Sequence, residues 1–204
     1  MSQTNTCIID TDLLLAWGAT LHNIEKGQVL FCEGNNAHFY YQVVEGRIKM
    51  CNCNDEGKEF IQGFFEAGES FGEPPLFDDA TYPASAVADT DSIVIRLRKE
   101  NFLQLLKDNF EIHFGFTQTL ARRLRFKSMM SKEISSYGPS HRIISLLNEY
   151  KKSHGIPANE KLKIDLTRQQ IADMTGLRVE TVIRSIRELH EKGKLQIERG
   201  KVFC

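Results

Sequence analysis

The chain has 204 residues, 41% hydrophobic and 26% charged, and its net charge of −1 divides into −6 over residues 1–137 (13 Lys/Arg, 19 Asp/Glu) and +5 over residues 138–204 (13 Lys/Arg, 8 Asp/Glu). No run of about 18 apolar residues is present, which excludes a membrane-spanning helix. The first ten residues lack a basic start followed by an apolar core, so no secretory leader is expected and the cytoplasm is the expected compartment.

Residues from about 20 to 98 read as all-β. Glycines recur at 27, 34, 46, 57, 63, 68 and 72 between short β-prone runs. Tyr40-Tyr41-Gln42-Val43-Val44 and Arg47-Ile48-Lys49-Met50 flank Glu45-Gly46, a tight-hairpin signal. Asn54-Asp55-Glu56-Gly57 predicts a second turn, leading into Phe60-Ile61-Gln62-Gly63-Phe64. Ser92 to Leu97 closes a series of short strands whose spacing predicts a jelly roll or small barrel. Five cysteines, Cys7, Cys32, Cys51, Cys53 and Cys204, form no repeating frame and argue against a disulfide scaffold. Cys51-Asn52-Cys53 puts two thiols on one face of a strand end. They are a candidate redox pair or partial metal site, against the plainer reading of two ordinary thiols beside a turn.

The period then changes. Lys99 to Asn109 predicts a helix with Phe102, Leu105 and Leu106 on one side. From Phe110 to about Tyr137 runs a long helical stretch interrupted only by Gly115. Phe116, Leu120 and Leu124, with Met130 and Ile134 further on, form its apolar stripe beside the basic cluster Arg122-Arg123-Leu124-Arg125. A second copy is the expected partner for that stripe, giving a parallel homodimer with Phe116, Leu120 and Leu124 at the interface. Packing on the chain's own β domain is the alternative. Tyr137-Gly138-Pro139-Ser140 reads as a hinge. A helix over Arg142–Lys152 follows, then a loop over His154–Asn159 and a short strand over Lys161–Asp165.

Thr167 and Gln170 predict a capping box, so a helix starts at Arg168, and Gly176 permits a turn. In the next helix Val182, Ile186 and Leu189 share one face, while Glu180 and Arg184 share the opposite one. That is a helix-turn-helix suited to the DNA major groove. Arg bonds two acceptors on guanine, and Glu accepts from the cytosine amino group. The plain alternative is an intrahelical Glu180–Arg184 ion pair worth about a few tenths of a kcal/mol. Their place directly after a capped helix and a Gly turn favours base reading. Thr167, Arg168, Arg178, Thr181 and Arg187 are expected at the phosphates. After Gly193, residues 195–203 predict a β-hairpin, which makes the unit a winged helix with Arg199 and Lys201 at its phosphate-facing tip. The basic balance of residues 138–204 fits that reading.

Gly27…Gly34, Val44-Glu45-Gly46, Asp55-Glu56-Gly57-Lys58-Glu59, Gly68-Glu69-Ser70-Phe71-Gly72-Glu73, Leu76-Phe77 and Leu120-Ala121-Arg122-Arg123-Leu124 follow one another in order, ahead of Leu166 to Arg184. In that order and spacing the chain resembles the CRP/FNR family of bacterial transcription regulators from about Glu25 to Phe203. The resemblance implies an α+β protein in three parts. An N-terminal β-roll sensor (a cyclic-nucleotide-binding-like jelly roll) would span 1–109, a long dimerisation helix 110–137, and a C-terminal winged helix-turn-helix 138–204. It also implies a homodimer on a near-palindromic site of double-stranded DNA, and contact with RNA polymerase. By position Glu180 and Arg184 fall where the family reads the G·C pair of a TGA core, and Val179 and Ile183 stand at its other base-contact positions. Arg178 stands at the cap of the reading helix and is a poor cap.

The family's effector pattern is only partly present. Gly72 and Glu73 match its cyclic-nucleotide cassette, but the Arg-Ser pair that holds the cyclic phosphate is replaced by Pro83 and Ala84, with Ser85 next. The missing guanidinium argues against cyclic AMP. Lys127 and Ser128 lie where the family contacts the base, which completes an expected effector pocket of Gly72, Glu73, Ala84, Ser85, Lys127 and Ser128. An iron–sulfur cluster is poorly supported, because the N-terminal region holds only Cys7. His22, His38 and His113 are candidate haem ligands without a surrounding motif. The effector itself is unidentified, with haem and redox thiols left open.

Two other function classes compete with the regulator. A cupin-type enzyme needs a close His/Glu metal cluster, and residues 38–98 contain only His38, so no catalytic residues and no metal ligands are assigned. A ligand-binding module whose C-terminal domain contacts protein rather than DNA is the alternative to the regulator. The basic balance and the Glu180/Arg184 pair argue against it.

Overall fold

A computed structural model describes residues 9–157 and 159–204. The chain divides into two compact units whose boundary, between Leu120 and Ala121, falls inside the longest helix.

In the first unit, helix α1 (Thr11–Ala16) is capped by Asp10, whose carboxylate accepts from the Asp12 and Leu13 amides. Among the described residues, eight strands follow: β1 (Thr20–Ile24), β2 (Val29–Phe31), β3 (Phe39–Glu45), β4 (Arg47–Cys53), β5 (Glu59–Glu66), β6 (Ser70–Phe71), β7 (Ser85–Ala88) and β8 (Ser92–Arg98). They form two antiparallel sheets in the orders β1-β8-β3-β6 and β2-β7-β4-β5, the double Greek key of a jelly roll. Alternation along β4 sends Ile48 and Met50 inward; Tyr40, Val43, Ala86 and Val94 meet them in the core. A short helix α2 (Pro75–Asp78) separates β6 from β7.

Glu45-Gly46 does not close a hairpin. β3 pairs with β8 and β6 while β4 pairs with β5 and β7, so the chain steps from one sheet to the other at this point. Gly46 has φ 86°, and a Cβ there would lie 2.4 Å from the Asp91 carbonyl oxygen. The glycine serves the crossing, not a two-residue turn. The Asn54 turn does join neighbouring strands, β4 and β5, and the Asn54 side-chain oxygen accepts from the Glu56 and Lys58 amides.

Helix α3 (Lys99–Asp108) presents Phe102, Leu105 and Leu106 to the roll, and Phe102 stacks on Tyr40 at 4.3 Å between ring centroids. The long helix α4 (Phe110–Ser136) follows. Its apolar stripe is split. Phe116 is fully buried, with its ring 5.5 Å from Phe102 and 5.8 Å from Phe77, and Leu120 is half-buried against the same core. Leu124 is 68% exposed. Phe116 is therefore core of its own chain and not a contact between copies. The helical period marks its face but carries no sign of the aromatic cluster that claims it.

In the second unit, helix α5 (Pro139–Ser153) begins with Pro139 in its first turn and extended Gly138 as its N-cap. The expected hinge is thus reduced to Tyr137-Gly138, because the fixed φ of proline suits the start of a helix. Helices α6 (Arg168–Thr175) and α7 (Val179–Glu191) pack with α5 around Ile143, Leu147, Ile171, Val182, Ile186 and Leu189. Strands β9 (Gln196–Glu198) and β10 (Lys201–Phe203) form the terminal hairpin. The strand expected over Lys161–Asp165 is an edge segment held to β10 by a single bridge, Lys163 to Phe203. Its amides nonetheless bond at Leu162 to Cys204 O and at Ile164 to Val202 O.

Candidate nucleic-acid interface

The turn between α6 and α7 is locally over-determined. The Thr167 hydroxyl accepts from the Gln170 amide at 3.0 Å, and the Gln170 side chain accepts from the Thr167 amide at 2.9 Å, closing the capping box. Gly176 is left-handed (φ 67°) at the end of α6, and its amide and that of Leu177 both bond to Ala172 O. Buried Thr175 donates its hydroxyl to Ile171 O. Arg178 caps α7 in extended geometry without a side-chain bond, so the start of α7 rests on the packing of Val182 and Ile186.

α7 has two contrasting faces. Val182, Ser185, Ile186 and Leu189 are buried, whereas Glu180, Ile183, Arg184 and Arg187 are exposed. Val179 and Thr181 are half-buried at its first turn. Glu180 and Arg184 do not pair with each other among the described residues, so the intrahelical ion pair is not what occupies them. At the far end Glu188 is engaged, accepting from Lys192 and from Ser140 of α5. Those hydrogen bonds hold its carboxyl below the usual range.

The wing is a two-residue turn with both φ values positive, 47° at Arg199 and 78° at Gly200, which matches the right-handed twist of β9 and β10. Arg199 and Lys201 are exposed at its tip. Arg168 is half-buried and donates to Gly200 O at 3.3 Å, so it ties the start of α6 to the wing turn. A role in placing the wing is thereby added to its expected place at the backbone.

In the first unit, Gly72, Glu73 and Ala84 are buried around an aromatic cluster. Phe31 stacks on Tyr82 at 3.7 Å and 10°, with Tyr41 and Phe71 completing it. Gly72 has φ 72°, and a Cβ there would lie 2.8 Å from the Phe31 ring. Ser85 turns away, its hydroxyl accepting from the Glu33 amide. Burial first, then Tyr41 and Glu73, pushes the Tyr82 phenol above its ordinary range. Lys127 and Ser128 are exposed on α4, beyond the boundary between the units. Although Lys127 is exposed as a whole, its ammonium is held below its ordinary range, by desolvation first and Arg123 second.

Both units have known relatives. Residues 21–109 match the cyclic nucleotide-binding domain and residues 141–203 the Crp-like helix-turn-helix domain. The cAMP-activated global transcriptional regulator CRP of Haemophilus influenzae is 31% identical over 186 residues, covering 89% of this chain and 83% of that protein. The chain belongs to the CRP/FNR family. It is a DNA-binding transcription regulator of that type. Solved structures share the fold. FixK2 from Bradyrhizobium japonicum superposes with a TM-score of 0.75 at 21% identity, over 90% of this chain and 91% of that one. The c-di-GMP responsive global regulator CLP of Xanthomonas campestris gives 0.76 at 21%, over 94% and 96%.

Family membership sharpens the effector question. The roll is that of a cyclic nucleotide-binding domain, but its phosphate cradle is not. Pro83 contributes a carbonyl that accepts from Asn52, Ala84 contributes a buried methyl, and the space beside Gly72 is filled by Phe31 and Tyr82. With Pro83 and Ala84 in place of a guanidinium and a hydroxyl, the residues present supply no bidentate partner for a cyclic phosphate anion.

The other sensor chemistries are not gathered either. His22 is half-buried on β1 with Nε2 2.9 Å from the Thr20 hydroxyl, and its ring is held below the ordinary range by desolvation first and Arg96 second. His38 and His113 are exposed. Among the described residues no group of three or more His, Cys, Asp or Glu is placed to hold a metal ion. Cys7 lies outside the described residues.

Cys51 and Cys53 do not make a matched pair. Cys51 is buried and its thiol is pushed up to about 12, by burial first and by Glu59 second, while Cys53 is exposed. Cys51 lies between two strands, opposite Ile61 of β5 and Ser85 of β7, whereas Cys53 stands at the end of β4 beyond the pairing with β7, which gives the two thiols different surroundings. A protonated buried thiol is a poor nucleophile, and this argues against redox exchange at Cys51.

Sequence reasoning missed two links beside the interface. Buried Glu133 of α4 accepts from His141 at 2.8 Å and from Ser145 at 3.1 Å, fastening α5 to the end of α4. Ser140 reaches Glu188 across to α7. Both join residues far apart in helical phase and sequence, and no local motif announces them.

Proposed function

We propose that this regulator acts as a homodimer whose two α7 helices read the half-sites of a near-palindromic operator with a TGA-like core. In this reading Glu180 and Arg184 contact one G·C pair, with Val179 and Ile183 at the neighbouring base edges. Thr167, Arg168, Arg178, Thr181, Arg187, Arg199 and Lys201 neutralise phosphates. The observation that carries it is the exposed polar side of α7, with Glu180 and Arg184 one helical turn apart and free of each other.

Pairing of α4 between copies is supported by Leu124, an apolar side chain 68% exposed in mid-helix. The working division is a sensor over 1–109, a dimerisation helix over 110–137 and a DNA-binding domain over 138–204. The effector acts through the roll, is unidentified, and is not expected to be cyclic AMP. RNA polymerase is the partner at the promoter.

The test is competition binding of wild type and Arg184→Ala to the selected operator and to operators changed at one base pair. Arg184→Ala is expected to abolish discrimination at the G·C pair, a loss of about 1–3 kcal/mol there, with other positions unaffected. Retained discrimination by the variant contradicts the assignment. Binding by wild type that is indifferent to sequence and flat in salt would favour a protein-contacting module instead.

A further inference from the structure

The exposed side of α7 carries two rows, not one. Glu180 and Arg184 form a charged row, and exposed Ile183 with half-buried Val179, also one turn apart, forms an apolar row at its edge. Ile183 is 36% exposed, although the inward face of α7 is already complete with Val182, Ser185, Ile186 and Leu189. A β-branched residue in mid-helix does not improve the helix, and this one stands outside the buried face of α7. Its neighbours are Glu180 three residues before, Arg184 next, and Arg187 four residues on, the same groups assigned above to bases and phosphates. Among the base edges of the major groove, the apolar feature is the C5-methyl group of thymine.

We propose that Ile183, backed by Val179, reads a thymine methyl in the base pair beside the one read by Glu180 and Arg184, so that each half-site requires thymine there. The inference rests on the DNA-reading assignment and deepens it by naming the side chain and the contact chemistry that read the base beside the G·C pair. The contact is apolar. It discriminates thymine from cytosine and from uracil by the methyl alone, and no hydrogen bond is asked of the side chain.

The experiment starts with operators enriched from random duplex DNA by the full-length wild-type protein. Each thymine is then replaced singly by deoxyuridine, which deletes one methyl and leaves base pairing intact. At one position per half-site the wild type is expected to lose affinity about fourfold, and about fifteenfold when both half-sites are changed, as for one buried methyl each. Ile183→Ala is expected to bind the thymine operator as the wild type binds the uracil operator, and to lose nothing further on methyl deletion. Ile183→Val is expected to keep most of the thymine preference. An enriched operator at which no single methyl matters overturns this inference alone. So does an Ile183→Ala protein as sensitive to methyl deletion as the wild type. Failure to enrich any sequence overturns the DNA-reading assignment together with it.

Discussion

Burial separates the thiols of the roll. Cys51 is buried beside Glu59 and its thiol is pushed up to about 12, whereas Cys32 and Cys53 are exposed. Brief alkylation of the folded protein near pH 8, read by peptide mass spectrometry, is expected to label Cys32 and Cys53 and to spare Cys51. Labelling of Cys51 at the rate of Cys53 would refute the burial. The same shift has a consequence for stability. Below the ordinary thiol range, about 8.5, both folded and unfolded forms are protonated, so Cys51 has no pH-dependent effect there. Between that range and about 12 only the unfolded thiol ionises, so its contribution to stability is lost as pH rises through that window. Removing the thiol by Cys51→Ala is expected to flatten that part of the alkaline unfolding profile, although it lowers stability at every pH by leaving a small cavity.

Among the secondary-structure elements, those with local causes were legible in the sequence. The capping box at Thr167 and Gln170, the Gly176 turn and the apolar period of α7 are written within a few residues, and the structure reproduces each. Elements whose partners are distant were not. Glu45-Gly46 carries the residues of a hairpin, but β3 finds β8 about 50 residues away and the glycine serves a sheet crossing. The stripe on α4 has helical period throughout, yet Phe116 is claimed by Phe102 and Phe77 while Leu124 is left exposed. The interface between copies is therefore expected to depend on Leu124 and not on Phe116. Leu124→Glu is expected to halve the mass measured by light scattering at micromolar concentration, with an unchanged circular dichroism spectrum. A dimer of unchanged mass would count against pairing through α4. Phe116→Ala is expected to act instead through the core, by about 3–5 kcal/mol.

In the molecule as a whole, an acidic first part and a basic last part share one chain, with −6 and +5 about residue 138. The positive end carries α7 and the wing, so DNA affinity is expected to fall steeply with salt. What the roll senses was the least legible property, because the chain keeps the cyclic nucleotide-binding fold while replacing the residues that would hold the phosphate. The central claim is that two α7 helices enter successive major grooves of one duplex. Methylation interference on an enriched operator tests it directly, since methylation at guanine N7 blocks the edge that Arg184 is assigned to read. The expected result is two guanine positions at which methylation blocks binding, in symmetry-related half-sites one helical turn or about 10 base pairs apart, with both signals lost in Arg184→Ala. Interference at a single position, or none in an operator that the protein still binds, would contradict it.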